Sequence, residues 1–244
     1  MIIQGITDIG KIRRINQDNF LILQNKDVQM MLVADGMGGA KAGEIASLLA
    51  CESIERQFNE MDFNELTVNE VKLWLKKAIL NMNKEVYQAS VDNPNYSGMG
   101  TTAVAALFYE DVCLVGNVGD SRCYIVNSAN ELVQISIDHS LVNEMIRLKR
   151  ITVEQAKTHP QRSVLTNVCG VIPNIEVDIF EVHDFSLVLC CSDGVHSMLE
   201  DREIFSLLNS KETTASKVQH ILHHANLHGG LDNITLTLAE RGRL

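Results

Sequence analysis

The chain has 244 residues, 45% hydrophobic and 21% charged, which is ordinary globular composition with material for a sizeable core and excludes a disordered chain. Its 31 acidic residues against 21 basic ones leave a formal charge of −10, which argues against the cationic surface that nucleic acid requires. No apolar run approaches the ~18 residues that span a bilayer; residues 1–10 lack the pattern of a leader, and the six cysteines show neither CxxC pairs nor zinc-finger spacing, so a reducing cytoplasmic setting without membrane contact is expected.

With three prolines and no Ser/Gly-rich or low-complexity stretch, no linker is predicted, and residues 1–244 read as one domain. Short strands are predicted over residues 20–23 and 29–34, with two helical stretches in the same third of the chain. In the second, Val71, Trp74, Ala78, Met82 and Val86 recur at three- and four-residue steps, giving one apolar face that should lie on a sheet. Strands at 102–108, 111–118, 123–126 and 132–135 are spaced as in an antiparallel meander. Residues 141–157 turn helical and charged, and strands resume at 175–182 and 186–191. A helix carrying Ala215, Val218, Ile221, Leu222 and Ala225 precedes a strand in which Ile234, Leu236 and Leu238 alternate with threonines. The mixture predicts antiparallel sheets covered by helices.

Three aspartates stand at predicted strand ends, in Asp35-Gly36, Asp193-Gly194 and Asp232-Asn233. Any one Asp-Gly is more often a plain turn. Gathered from separate strands, however, such carboxylates form the hard-oxygen set that Mg2+ and Mn2+ prefer, and one carboxylate can bridge two ions. Asp35 is the candidate bridge, and the glycines after it let the Gly36 carbonyl serve as a ligand. Near the start, Arg13 precedes Asn16-Gln17-Asp18, placing a planar fork of donors that suits phosphate beside a carboxylate. No cysteine begins the Cys-x5-Arg loop of thiol phosphatases, so the thiols are expected in the core.

These motifs occur together and in order. Gly10-Lys11-Ile12-Arg13 and Asn16-Gln17-Asp18 are followed by Val33-Ala34-Asp35-Gly36-Met37-Gly38-Gly39 with Gly43-Glu44, then by Gly100-Thr101-Thr102 and Val118-Gly119-Asp120-Ser121-Arg122. Asp138-His139-Ser140, Cys191-Ser192-Asp193-Gly194 and Gly229-Gly230-Leu231-Asp232-Asn233-Ile234-Thr235 complete the series. Over nearly the whole chain the sequence resembles the metal-dependent protein serine/threonine phosphatases of type 2C, in their compact bacterial form.

The resemblance implies an α+β fold, a four-layer α/β/β/α sandwich of two antiparallel sheets flanked by helices, with a metal centre at one end. It implies that Asp35 bridges two Mn2+ or Mg2+ ions, that Gly36 lends its carbonyl, and that Asp193 and Asp232 complete the set. Asp18 would orient the attacking water, Arg13 would bind phosphate, and Asp120 would help Asp193 hold a third, weaker ion. The implied reaction is hydrolysis of phosphoserine and phosphothreonine in proteins by a metal-activated water, opposing a serine/threonine kinase. Residues 141–170 correspond to a flap beside the centre, either a substrate contact or a simple connecting helix pair.

Two departures stand out: Gln17 where the family usually has Glu, and Met37 where some relatives carry a proton-donating His. Neither His139 nor His159 is assigned as the general acid. The alternative is a catalytically weak or inactive phosphoprotein-binding module; a two-metal nuclease would call for a basic groove that the sequence lacks. Monomer is the default expectation.

Overall fold

The structure is a computed structural model that describes residues 1–38 and 42–242. Gly39 of the first glycine-rich motif lies outside the described residues. Strands β1 (Ile2–Asp8), β11 (Ile234–Glu240), β10 (Leu187–Cys191), β7 (Arg122–Val126) and β8 (Leu132–Gln134) form a five-stranded sheet in that order. The second sheet runs β2 (Asp18–Asn25), β3 (Val28–Met37), β5 (Ala103–Tyr109), β6 (Val112–Val118) and β9 (Asp178–Val182), with the short β4 (Gly100–Thr101) paired to the end of β3. Every pairing is antiparallel.

Side-chain alternation builds three cores from these two sheets. Met30, Leu32 and Ala34 of β3 face helices α1 (Ala42–Glu60) and α2 (Val68–Asp92), whereas Met31 and Val33 face the opposing sheet. Burial on both sides is why residues 30–34 read as an unbroken apolar run. In β10, Val188 and Cys190 enter the same inter-sheet core, while Leu187, Leu189 and Cys191 face helices α6 (Asp201–Leu208) and α7 (Thr214–Leu227). The result is the expected four-layer α/β/β/α sandwich.

The stripe on α2 is buried as predicted at Val71, Ala78, Met82 and Val86. Trp74 sits at its margin, edge-on to Phe63 with ring centroids 5.0 Å apart, and Leu75 and Ile79 fill the centre. The helix starts at Thr67, whose side chain accepts from the Glu70 amide while Glu70 reaches back to the Thr67 amide, a capping box. All six cysteines are free and buried. No described helix is long and apolar enough to cross a membrane.

The strands at residues 102–135 do not form one meander. β5 and β6 pair in one sheet and β7 and β8 in the other, so the chain changes sheets at Gly119, Asp120 and Ser121. Gly119 permits this with φ +102°, and a Cβ there would lie 2.6 Å from Thr102 Cγ2. The helical stretch at 141–157 is two short helices, α3 (Leu141–Arg147) and α4 (Val153–Lys157), the second capped by Thr152. β1 and α6 are absent from the predicted elements: β1 is an edge strand interrupted by Gly5, and α6 has only eight residues.

Strand direction brings the chemistry to one end of the sandwich. The end of β1, the start of β2, the end of β3, the β6–β7 crossover, the end of β10 and the start of β11 all lie together. Leu189 is fully buried between β10 and the α6/α7 layer. Leu189→Ala should therefore destabilise by about 2–5 kcal/mol, read as a lower urea midpoint at unchanged slope; a change below about 0.5 kcal/mol, the scale of a surface substitution, would contradict this packing.

Candidate metal centre

Asp18 opens β2 and lies directly across from Asp35 near the end of β3. Asp193 follows β10 at the start of α5 (Asp193–His196), and Asp232 comes just before β11. Asp120 sits on the crossover between sheets. Arg13, Gln17, Asp35, Gly36, Met37, Gly38, Thr102, Asp120, Asp193, Asp232 and Asn233 line one cavity of about 300 Å3, and Ser163 and Leu165 of the flap close its side. The structure thus brings together the residues singled out in the sequence, with Asp18 just behind Asp35.

Backbone and side-chain hydrogen bonds fix Asp35, Asp18 and the Arg13 loop. The Asp35 amide donates to Thr102 Oγ1 at 3.0 Å and its carbonyl accepts from the Thr102 amide at 2.9 Å and Thr101 Oγ1 at 3.0 Å. The Gly36 amide donates to the Gln17 carbonyl at 3.1 Å, and a Cβ on Gly36 would meet the Gly43 and Gln17 carbonyl oxygens at 2.1 and 2.4 Å, so only glycine fits. Asp18 accepts from Ser192 Oγ at 2.8 Å. Asn233 fastens the Arg13 loop: its Nδ2 donates to the Ile9 and Ile15 carbonyls, both at 3.0 Å, and its Oδ1 accepts from the Gln17 amide at 2.9 Å.

The electrostatics are those of crowded anions. Burial first, then the charges of Asp18, Asp193, Asp120 and Asp232, hold the Asp35 carboxyl well above the usual range. Burial, then Asp120, Asp232 and Asp18, push Asp193 up to about 8. Asp18 is raised to about 6 by burial, against hydrogen bonds from Ser192, Thr235 and Asp35, and Asp120 to about 6 by burial and then Asp138. Such a set is stabilised by a cation. Arg13 Nη2 supplies one to Asp232 at 2.5 Å, half in solvent.

The donor set fits hard divalent ions. It is all oxygen, mutually repelling, and includes a buried Asp193 Oδ1 with no hydrogen-bond partner among the described residues. It is gathered but not drawn tight: no three His, Cys, Asp or Glu side chains among the described residues close to ligand spacing.

Residues 13–231 match the family model described as Protein phosphatase 2C. The chain belongs to the protein phosphatase 2C family. A serine/threonine phosphatase, Stp, of Listeria monocytogenes is 40% identical over 238 residues, covering 96% of this chain and 94% of its own. Protein phosphatase PhpP of Streptococcus pneumoniae is 35% identical over 243 residues, with 98% and 96% covered. The crystal structure of serine/threonine phosphatase Stp1 from Staphylococcus aureus superposes with a TM-score of 0.93 at 34% identity, covering 99% of this chain and 95% of that one.

Within this 2C domain several site residues carry no role in the sequence reading. Ser192, Thr102 and Asn233 stand inside recognised motifs, but which carboxylate or loop each fastens depends on strand register. Ser163 and Leu165 lie in a segment that bonds within itself from Leu141 to Val164 and to the rest of the chain from Thr166 to His139 and from Cys169 to Thr101 of β4. His159 makes only a local turn, its Nδ1 accepting from the Gln161 amide at 3.1 Å.

The raised carboxyls predict a pH response. A carboxyl whose folded pKa exceeds its unfolded value binds its proton more tightly when folded, so stability is full below the unfolded pKa and is lost as pH rises through the folded one. With chelator present, the thermal midpoint should fall between pH 4 and 8, the window set by Asp18, Asp120 and Asp193. The fall should be smaller in Asp193→Asn and should flatten with saturating Mn2+; a slope unaffected by either would contradict the crowding.

Proposed function

We propose that residues 1–244 act as one type 2C phosphatase domain that hydrolyses phosphoserine and phosphothreonine in other proteins with Mn2+ or Mg2+. The proposal places it in the cytoplasm, as a monomer, opposing a serine/threonine kinase of the same cell. The observation that carries it is the convergence of Asp35, Asp120, Asp193 and Asp232 with Arg13 on one cavity, in a chain whose relatives are named serine/threonine phosphatases.

Asp35, Gly36, Asp193 and Asp232 would hold two ions, Asp35 between them, and Asp120 with Asp193 a third. Bound there, divalent ions neutralise phosphoryl charge and make water a competent nucleophile at neutral pH. Arg13 presents planar N–H donors to phosphate, and those not engaged by Asp232 make no bond among the described residues. Asp18, whose carboxylate is fixed by Ser192 Oγ, would orient a water for attack. Gln17 keeps one further negative charge out of the cavity wall. Met37 lines the wall and cannot transfer a proton, so it is not the general acid. The flap offers Ser163 and Leu165 to the substrate. Buried thiols play no part: Cys51, for one, is pushed up to about 12 by burial.

Protein stripped with chelator should not cleave a phosphothreonine peptide until Mn2+ or Mg2+ is restored. Arg13→Ala should raise KM roughly ten- to a hundredfold, the worth of a charged hydrogen bond of about 1.5–3 kcal/mol, with a smaller change in kcat. Asp193→Asn should abolish most turnover while leaving the fold intact. Full activity in chelator, or inactivity of folded protein with either metal, would contradict the proposal, the latter favouring a phosphoprotein-binding module.

A further inference from the structure

Asp120 lies on the crossover between the two sheets, where Ser121 Oγ shares a hydrogen bond with Thr102 Oγ1 at 2.7 Å. It follows Gly119, whose backbone is left-handed at φ +102°, on a crossover outside both strand ladders, so no strand pairing fixes its carboxylate. Two histidines with no assigned role bond to this segment. The Gly119 amide donates to His139 Nδ1 at 3.1 Å, and the Gly119 carbonyl accepts from the His139 amide at 2.9 Å. The Asp120 carbonyl accepts from His196 Nε2 at 3.0 Å.

The hydrogen bonds assign both rings the same neutral tautomer. His139 Nδ1 faces two donors, the Gly119 amide and Asn167 Nδ2 at 3.0 Å, and therefore carries no proton; its Nε2–H points to Asp178 Oδ2 at 3.0 Å. His196 Nε2 faces a carbonyl and must carry the proton. Each ring also reaches a different partner element. His139 stands at the flap base, where its carbonyl accepts from the Thr166 amide at 2.9 Å. His196 closes α5, the helix that Asp193 opens. Arg122 and Asp138 repeat the link beside them through a forked ion pair at 2.7–3.1 Å.

We propose that His139 and His196 are positioning residues that clamp the Gly119-Asp120 dipeptide at its first N–H and its last carbonyl, fixing the Asp120 carboxylate toward Asp193 and tying it to the base of the flap. The inference rests on the assignment of Asp120 given under the proposed function. Its consequence is selective: losing either ring should weaken the step that depends on Asp120 and spare the ions held by Asp35.

Mn2+ titration followed by electron paramagnetic resonance tests this, with Asp120→Asn defining the step in question. His196→Ala should weaken that step about ten- to a hundredfold, the usual effect of losing a partner that orients a ligand, leaving tighter binding unchanged. His196→Gln, whose Nε2 can reach the same carbonyl, should restore affinity to within about threefold, as should His139→Asn relative to His139→Ala. In the Asp120→Asn background, His196→Ala should add nothing to the loss. Equal weakening of all ions, additivity with Asp120→Asn, or no effect of His196→Ala would overturn the clamp. A wild type whose binding is indifferent to Asp120→Asn would overturn the assignment of Asp120 and the clamp with it. Amide exchange in unmutated protein is a second measurement, free of folding defects: the Gly119 amide should exchange as slowly as its β6 neighbours, and exchange at loop rates would overturn the His139 bond.

Discussion

Asp18, Asp35, Asp120, Asp193 and Asp232 are held around the end of one sandwich against their own repulsion, and much of the surrounding structure resists that repulsion. Four of the five are pushed above the ordinary carboxylate range, with burial as the largest cause and one another as the next for Asp35 and Asp193. Such an arrangement persists only where the backbone leaves no alternative. Thr101 and Thr102 pin the Asp35 peptide, Ser192 pins the Asp18 carboxylate, and Asn233 stitches the Arg13 loop to the start of β11. Carboxylates fixed in advance would present a cation with an assembled electrostatic field.

The sandwich supplies the rigidity. Two antiparallel sheets share one core, and each covers its outer face with a helix pair, so strand ends at the site cannot drift without disturbing three packed layers. The exceptions are the crossover carrying Asp120 and the flap. Both are joined to the frame by hydrogen bonds and not by strand ladders, and both meet at His139. The crossover carrying Asp120 and the insertion at residues 141–170 therefore share one anchor.

The sequence disclosed the motif aspartates because a carboxylate beside glycine or asparagine at the end of an apolar run is a local signal. β3 and β10 were readable for the same reason: burial on both faces writes an unbroken apolar run. Other features were non-local. Nothing in residues 102–135 marks where the chain leaves one sheet for the other, since each strand is apolar in either position, and Gly119 is one turn glycine among several. β1 is hidden by Gly5 and an edge position, and Trp74 lies on the apolar face that the spacing predicts, at its margin, a depth that helical spacing does not encode. The roles of Ser192, Asn233 and His196 depend on partners 174, 224 and 76 residues away; such pairings follow from sheet register, which composition and periodicity do not encode.

The central claim is that this carboxylate ring is a cation site built around Asp35. Calorimetric titration of chelator-stripped protein with Mn2+ tests it most directly, comparing wild type with Asp35→Asn of equal fold by circular dichroism. The account predicts at least two ions per wild-type chain and loss of the tight binding in the variant. A folded wild type that binds no Mn2+, or an Asp35→Asn variant that binds it unchanged, would contradict the account.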